Sequence, residues 1–169
     1  MTVFTVGHST KPIHEFLRLL HAHGIVQLAD VRTIPRSRRY PHFSQELLAP
    51  CLAEASIAYC HFPELGGLRK PRRDSPNTAW RVEGFRGYAD YMETPEFTVA
   101  LDHLVQWAKP GRTAVMCAES MWWRCHRKLI ADALLATGVE VRHILSEKSA
   151  PPHSLTAFAR LTERGVRYS

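Results

Sequence analysis

The sequence predicts an α/β fold: a single domain with a mostly parallel β-sheet, helices on both faces and Rossmann-like layering. The first observation behind this is alternation, because short β-rich runs take turns with amphipathic helical stretches along the whole chain, the pattern of parallel strands joined by crossover helices. The second is size. At 169 residues the chain suits one domain that buries its own core without disulfide or metal staples. The third is continuity, since no repeat, low-complexity tract or linker divides residues 1–169.

Val3 to Val6 is a β-rich run that stops at Gly7-His8-Ser9. Ser9 or Thr10 is the expected N-cap of a helix with Pro12 in its first turn, and Phe16, Leu17, Leu19 and Leu20 give that helix an apolar face up to Gly24. Ile25 to Leu28 is the second strand, closing on Asp30-Val31-Arg32, so the first three elements form a right-handed crossover unit. Thr33 to Pro41 is a Pro-bounded basic loop with Arg36, Arg38 and Arg39. Ser44 then caps a helix to Ala55 with Leu47, Leu48 and Leu52 inward, and Ile57 to His61 is the third strand. Leu68 to Asn77 is rich in charge, Pro and turn residues, so it reads as a surface loop. Gly84 to Met92 and Pro95 to Ala108 follow as helices, the second ended by Pro110-Gly111. The central unit comes next: Thr113 to Met116 is a strand ending at Cys117, a polar and aromatic loop follows, and Leu129, Ile130, Ala133 and Leu134 mark a helix reaching Gly138. Val139 to Leu145 is the last expected strand and Ser154 to Arg164 a terminal helix with Leu155, Phe158 and Leu161 inward.

Composition narrows the function classes. A hydrophobic fraction of 45% with 22% charged residues is that of a globular domain, not of a disordered chain. No apolar run reaches the ~20 residues of a membrane span, and MTVFTVGHST has no charged segment leading into an apolar one, so a cytoplasmic protein is expected. In that compartment Cys51, Cys60, Cys117 and Cys125 are expected as free thiols. A formal charge of +6 and a pI near 9.4 favour an anionic partner, either a small molecule or a nucleic acid.

The chemistry-bearing residues cluster at the ends of the strands. His8 follows the first, Asp30 and Arg32 close the second, Glu64 and the Gly66-Gly67 pair follow the third, and Cys117 and Glu119 follow the central one. In a parallel sheet those ends share one edge and converge on one crevice. Arg124, Cys125, His126 and Arg127 lead into the helix after the central strand, where unpaired N–H groups favour an anion or a thiolate. The catalytic candidates are therefore Cys117, Cys125, Glu119 and His126. The ligand-binding candidates are His8, Arg32, Glu64, Gly66, Gly67, Arg124 and Arg127. Each has a structural alternative: a strand-end Cys117 or a loop-packed Cys125 can be an inert buried thiol, and Glu119 can pair with Arg32 or Arg124 to hold its loop. Trp122 and Trp123 beside these cations could stack a base. The Cys and His spacing matches no common zinc pattern, so neither a metal nor another cofactor is expected.

Taken in order, Gly7-His8-Ser9-Thr10, Asp30-Val31-Arg32 with Pro35-Arg36-Ser37, Pro63 to Gly67, Phe85-Arg86-Gly87-Tyr88-Ala89, and Cys117-Ala118-Glu119 leading to Cys125-His126-Arg127 resemble the domain of unknown function 488 family. The resemblance covers nearly the whole chain and implies a small intracellular bacterial or archaeal protein without an assigned activity. A weaker resemblance is to rhodanese-like and cysteine phosphatase domains, where a strand-end Cys heads an anion-binding loop closed by an Arg. There the Arg stands six positions after the Cys, whereas Arg124 stands seven after Cys117 across a loop without Gly. Two functions follow as expectations: an enzyme acting on a phosphorylated or nucleotide-like ligand with a thiol in its site, or a nucleic-acid binding module without catalysis.

Overall fold

The computed structural model describes residues 1–169. Its central sheet contains β1 (Thr2–Gly7), β2 (Gln27–Asp30), β3 (Ala58–His61), β4 (Thr113–Cys117) and β5 (Glu140–His143). Every neighbour in the order β3-β2-β4-β1-β5 runs parallel. The helices are α1 (Ile13–Ala22), α2 (Gln45–Glu54), α3 (Glu83–Tyr91), α4 (Pro95–Ala108) and α5 (Arg127–Ala136). The fold is the expected α/β arrangement.

β4 is buried along its whole length, which is why it reads as a continuous apolar run. Its side chains alternate between two cores. Val115 and Cys117 join the core under α3, α4 and α5, while Ala114 and Met116 join the one under α1 and α2. The helices thus cover both faces of the sheet.

The topology also fixes where a crevice opens. β2 and β4 are neighbours, yet β2 connects toward β3 and β4 connects toward β5, on the opposite side. Connections diverging from adjacent strands part the loops at the carboxyl ends, the usual ligand position in open α/β sheets. The segments after β1 and β4 stay joined, the His8 and Ser9 N–H groups donating to the Cys117 and Ala118 carbonyls at 3.0 and 2.9 Å.

Several local expectations are corrected. Pro12 stands at the N-cap of α1, and Ser9 adopts a left-handed φ of 48° in the turn before it. Ser44 does occupy the N-cap of α2, but its hydroxyl accepts from the Ser37 N–H and so ties down the basic loop instead of capping the helix. Leu47 is exposed, whereas Leu48 and Leu52 are buried. Residues 68–77 form the expected surface loop, and it is anchored: the Arg72 N–H, the Ser75 hydroxyl and the Asn77 amide all donate to the buried carboxylate of Asp90 at 2.6–2.8 Å. Ser154 to Arg164 is not a helix. In its place the chain forms an antiparallel hairpin, β6 (Ala159–Thr162) and β7 (Gly165–Tyr168). Gly165 takes the left-handed turn at φ 108°, and β7 follows a two-residue period, with Val166 and Tyr168 buried. Leu161, expected inward, is exposed.

No helix is long and apolar enough to cross a membrane.

Candidate functional site

The carboxyl ends of β2, β3 and β4 open on a pocket of about 560 Å³. The segment after β2 contributes Arg32, Thr33, Ile34 and Arg36, and the segment after β3 contributes Gly67 and Leu68. From β4 come Cys117, Ala118 and Glu119, and from the approach to α5 come Arg124, Cys125 and His126. Phe85 and Tyr88 of α3 and the nearby Val82 complete a largely apolar wall.

The two cysteines meet at the base of this pocket. Cys117 Sγ lies 2.8 Å from Cys125 Sγ, and because Cys125 is the more acidic of the two, the proton between them belongs to Cys117. Cys125 Sγ also receives the Arg127 backbone N–H at 3.5 Å and faces His126 Nδ1 at 3.4 Å. The Cys117 hydrogen bond acts first, then His126 and the Arg127 charge, and together they outweigh burial and pull the Cys125 thiol down from 9.0 to about 4. Burial acts the other way on Cys117, whose thiol is pushed well above 9.0 and whose proton serves Cys125. The pair therefore holds one thiolate and one thiol.

His126 is held in a defined orientation. Its Nε2–H donates to the Val31 carbonyl at 3.1 Å, which turns Nδ1 to Cys125, and its ring packs on Tyr88. Gly67 leaves room for that ring, since a Cβ there would lie 3.3 Å from Nδ1. Gly66 has a packing role: a Cβ would lie 2.4 Å from Thr33 Oγ1 and 2.8 Å from Thr33 Cα, so glycine lets the segments after β2 and β3 close on each other.

The remaining candidates separate into pocket and scaffold. Arg124 lines the pocket, exposed and without a carboxylate partner, as does Arg36. Glu119 is exposed, and its carboxylate accepts the Met121 N–H at 3.2 Å instead of pairing with Arg32 or Arg124. Arg32 is buried and bound through Nε and NH2 to both carboxylate oxygens of Asp30, at 2.9 and 2.7 Å, so it forms wall instead of an open clamp. His8 lies outside the pocket, stacked on Phe43 at 4.2 Å, with Nδ1–H on the Ser9 carbonyl and Nε2 facing Arg32. Its pKa falls from 6.5 to about 4, chiefly through burial. Glu64 is exposed and away from the pocket, with its backbone carbonyl accepting from Tyr91 and Arg69.

Arg127 is fully buried and points inward. Its NH2 holds the Glu119 and Ser120 carbonyls at 2.6 and 3.3 Å, and its NH1 donates to Thr5 Oγ1 at 3.2 Å, while its Nε has no partner. Arg127 is thus the anchor of the loop between Cys117 and Cys125 and offers nothing to a ligand in the pocket. That inward turn of the loop carbonyls, with Cys117 as proton donor, differs from the anion cradle around a strand-end nucleophile that the rhodanese and phosphatase resemblance implies.

Beyond Thr5 lies a buried polar chain. Thr5 Oγ–H donates to His143 Nδ1 at 2.6 Å, His143 Nε2–H to His153 Nδ1 at 2.9 Å, and His153 Nε2–H to Asp132 at 2.8 Å. Only one set of tautomers satisfies all these contacts with neutral imidazoles. Burial, first, and the facing His153 lower the pKa of His143 from 6.5 to about 3. Asp132 also receives the Tyr168 hydroxyl at 2.7 Å and the Thr156 N–H at 3.0 Å, and Trp122 stacks on His143 at 4.1 Å. The sequence reading missed this chain. Its one local signal is Asp132, an acid set in the apolar face Leu129-Ile130-Ala133-Leu134.

Comparison with known proteins finds no match among curated proteins and none among solved structures. A family model does match: residues 12–134, most of the chain and every residue of the pocket, fit the family described as domain of unknown function DUF488. The chain belongs to the DUF488 family.

Proposed function

We propose that this protein is a thiol-dependent enzyme in which Cys125 attacks a substrate built of an apolar body and an anionic group. The observation that carries this is Cys125 Sγ at the base of the pocket, facing the Cys117 thiol, the Arg127 N–H and His126 Nδ1. A thiolate beside an imidazole of fixed orientation is a standard activated nucleophile. In the reaction Cys125 forms a covalent bond to one atom of the substrate, the bond from that atom to the leaving group breaks, and the leaving group takes its proton from Nδ1 of the His126 imidazolium.

The substrate class follows from the walls. A volume of about 560 Å³ suits a small organic molecule. Phe85, Tyr88, Val82, Ile34 and Leu68 accommodate its body, and Arg36 and Arg124 meet its anion at the mouth. A phosphorylated or nucleotide-like molecule fits that description, and a cytoplasmic setting suits four free thiols. Nucleic-acid binding without catalysis draws less support. Arg38 and Arg39 are exposed, but Arg69 already packs over Tyr91 at 3.7 Å and Arg72 is paired with Glu93 at 3.1 Å.

Two chloroacetamide probes test the proposal, both with an aryl body and only one bearing a phosphate. Cys125 is labelled first, the phosphate probe reacts faster, and Arg36→Ala with Arg124→Ala removes that preference. Prior labelling of Cys51 or Cys60, or equal rates for the two probes, overturns it.

A further inference from the structure

Cys117 has no role in the nucleophilic step beyond donating a hydrogen bond, yet it is the sulfur nearest to the nucleophile. Both sulfurs border the same pocket, Cys51 and Cys60 do not, and no disulfide joins any of the four. Closing 2.8 Å to the ~2.05 Å of a disulfide moves the sulfurs by less than an ångström. The two residues also sit on separate pieces of chain. Cys117 ends β4, Cys125 precedes α5, and the loop between them is mostly exposed, so a small adjustment does not have to propagate through the sheet. The pair is also asymmetric. Cys125 meets three groups that support its thiolate, whereas Cys117 keeps its proton and reaches the Glu119 carbonyl at 3.6 Å, which Arg127 also holds. One sulfur is equipped to attack and the other to follow.

We propose that Cys125 and Cys117 form a two-electron redox pair, Cys125 attacking and Cys117 resolving, whose substrate is a small disulfide carrying carboxylates. This rests on the thiol-enzyme reading of Cys125 and puts a disulfide with carboxylates in the place of the phosphorylated ligand. Cys125 thiolate attacks one sulfur of the disulfide, a Cys125–substrate S–S bond forms, the substrate's S–S bond breaks, and one thiolate leaves. Cys117 then attacks Cys125 Sγ. The protein disulfide forms, the second substrate half departs as a thiolate, and the Cys117 proton goes to one of the two released thiolates. In balance, the protein loses two electrons and one proton, and the substrate disulfide is reduced to a thiol and a thiolate. A cellular dithiol reductant reverses the change by becoming a disulfide itself. A sulfur electrophile with an organic body suits this pocket better than a hydroperoxide does, because Ile34, Leu68 and Val82 line it, and Arg36 and Arg124 would meet the carboxylates.

The test uses the full chain, reduced and then exposed to oxidised glutathione, with acid quenching and peptide mapping by mass spectrometry. Wild type loses two hydrogens and carries the Cys117–Cys125 disulfide. Cys117→Ser and Cys117→Ala instead accumulate one glutathione on Cys125, and Cys125→Ser gains none on Cys117. A lasting glutathione adduct in wild type, or an adduct placed first on Cys117, Cys51 or Cys60, overturns the proposal. So does a pair oxidised by hydrogen peroxide but not by oxidised glutathione. If the disulfide fails to form while Cys125 still reacts as a thiolate with iodoacetamide at pH 6, the redox pair fails and the thiol enzyme stands. If Cys125 behaves as an ordinary thiol there, both fail.

Discussion

Cys125 should react with iodoacetamide at a rate nearly independent of pH from 5 to 8. The perturbation is pH alone, and the magnitude follows from the thiol being held at about 4. An ordinary cysteine with a pKa of about 8.5 is roughly one part in 300 thiolate at pH 6, so its rate climbs about tenfold per pH unit. At pH 6 Cys125 is ~99% thiolate, about 300-fold more. Its intrinsic nucleophilicity is lower, because a Brønsted slope of about 0.4–0.5 over roughly 4.5 units of basicity costs about 100-fold. For equal access, Cys125 therefore reacts ~3-fold faster than an exposed cysteine at pH 6 and roughly 25-fold slower at pH 8. Burial scales the whole curve and leaves its shape. The assay is site-resolved alkylation by mass spectrometry, with free cysteine in the same mixture as the rising control and His126→Ala to move the break toward higher pH. A Cys125 rate that climbs tenfold per unit between pH 6 and 8 refutes the reasoning, since no thiolate would then be held by Cys117, His126 and Arg127.

Stability should fall with acid. His8 at about 4 and His143 at about 3 are neutral in the folded protein, whereas the unfolded chain takes up both protons near 6.5, so each costs ~2 kcal/mol at pH 5 relative to pH 8. Cys125 acts in the same direction, so chemical denaturation of Cys125→Ser isolates the histidines, with about 4 kcal/mol lost; a flat curve contradicts it. Asp132→Asn should cost ~2–4 kcal/mol in the same assay, because three donors point at the carboxylate and an amide presents its own N–H groups to at least one of them. Gly66→Ala should cost about 1–3 kcal/mol and slow Cys125 labelling through the shifted pocket wall. Gly84→Ala, with open space around its Cβ, should be neutral or stabilising by up to ~1 kcal/mol; equal thermal shifts for the two variants would remove the close-packing argument.

Much of the fold was legible because burial writes itself into local pattern. β4 is covered on both faces and is therefore continuously apolar, and α1 and α4 keep one apolar stripe. The terminal segment was not legible in this way. Leu155, Phe158 and Leu161 happen to repeat every third residue, while the hairpin depends on partners far away, the Tyr168 N–H donating to Asn77 and the Tyr168 hydroxyl to Asp132. The edge on which the pocket opens was readable from the strand ends, but the roles within it were not. Arg124 and Arg127 both read as helix-start cations. Helical spacing could have separated them, since Arg127 shares a face with the buried Ile130 and Leu134, while Arg124 precedes the helix. The two cysteines could not be ranked from sequence, because their difference lies in a proton shared across eight residues.

The buried chain from Asp132 to Arg127 has a consequence for the thiolate. A buried arginine usually lies against its counter-charge, as Arg32 lies on Asp30. Here the carboxylate and the guanidinium are kept apart by three links, His153, His143 and Thr5, all donating toward Asp132. Asp132 therefore does not cancel the Arg127 charge at close range, and that charge faces the loop carbonyls and Cys125. Direct pairing would satisfy both ions and draw the Arg127 charge away from Cys125, leaving it its hydrogen bonds and His126. Separation makes one buried arginine serve as loop anchor and as part of the field that holds the thiolate, which ties the reactivity of Cys125 to side chains from β1, α5, β5 and the segment after it.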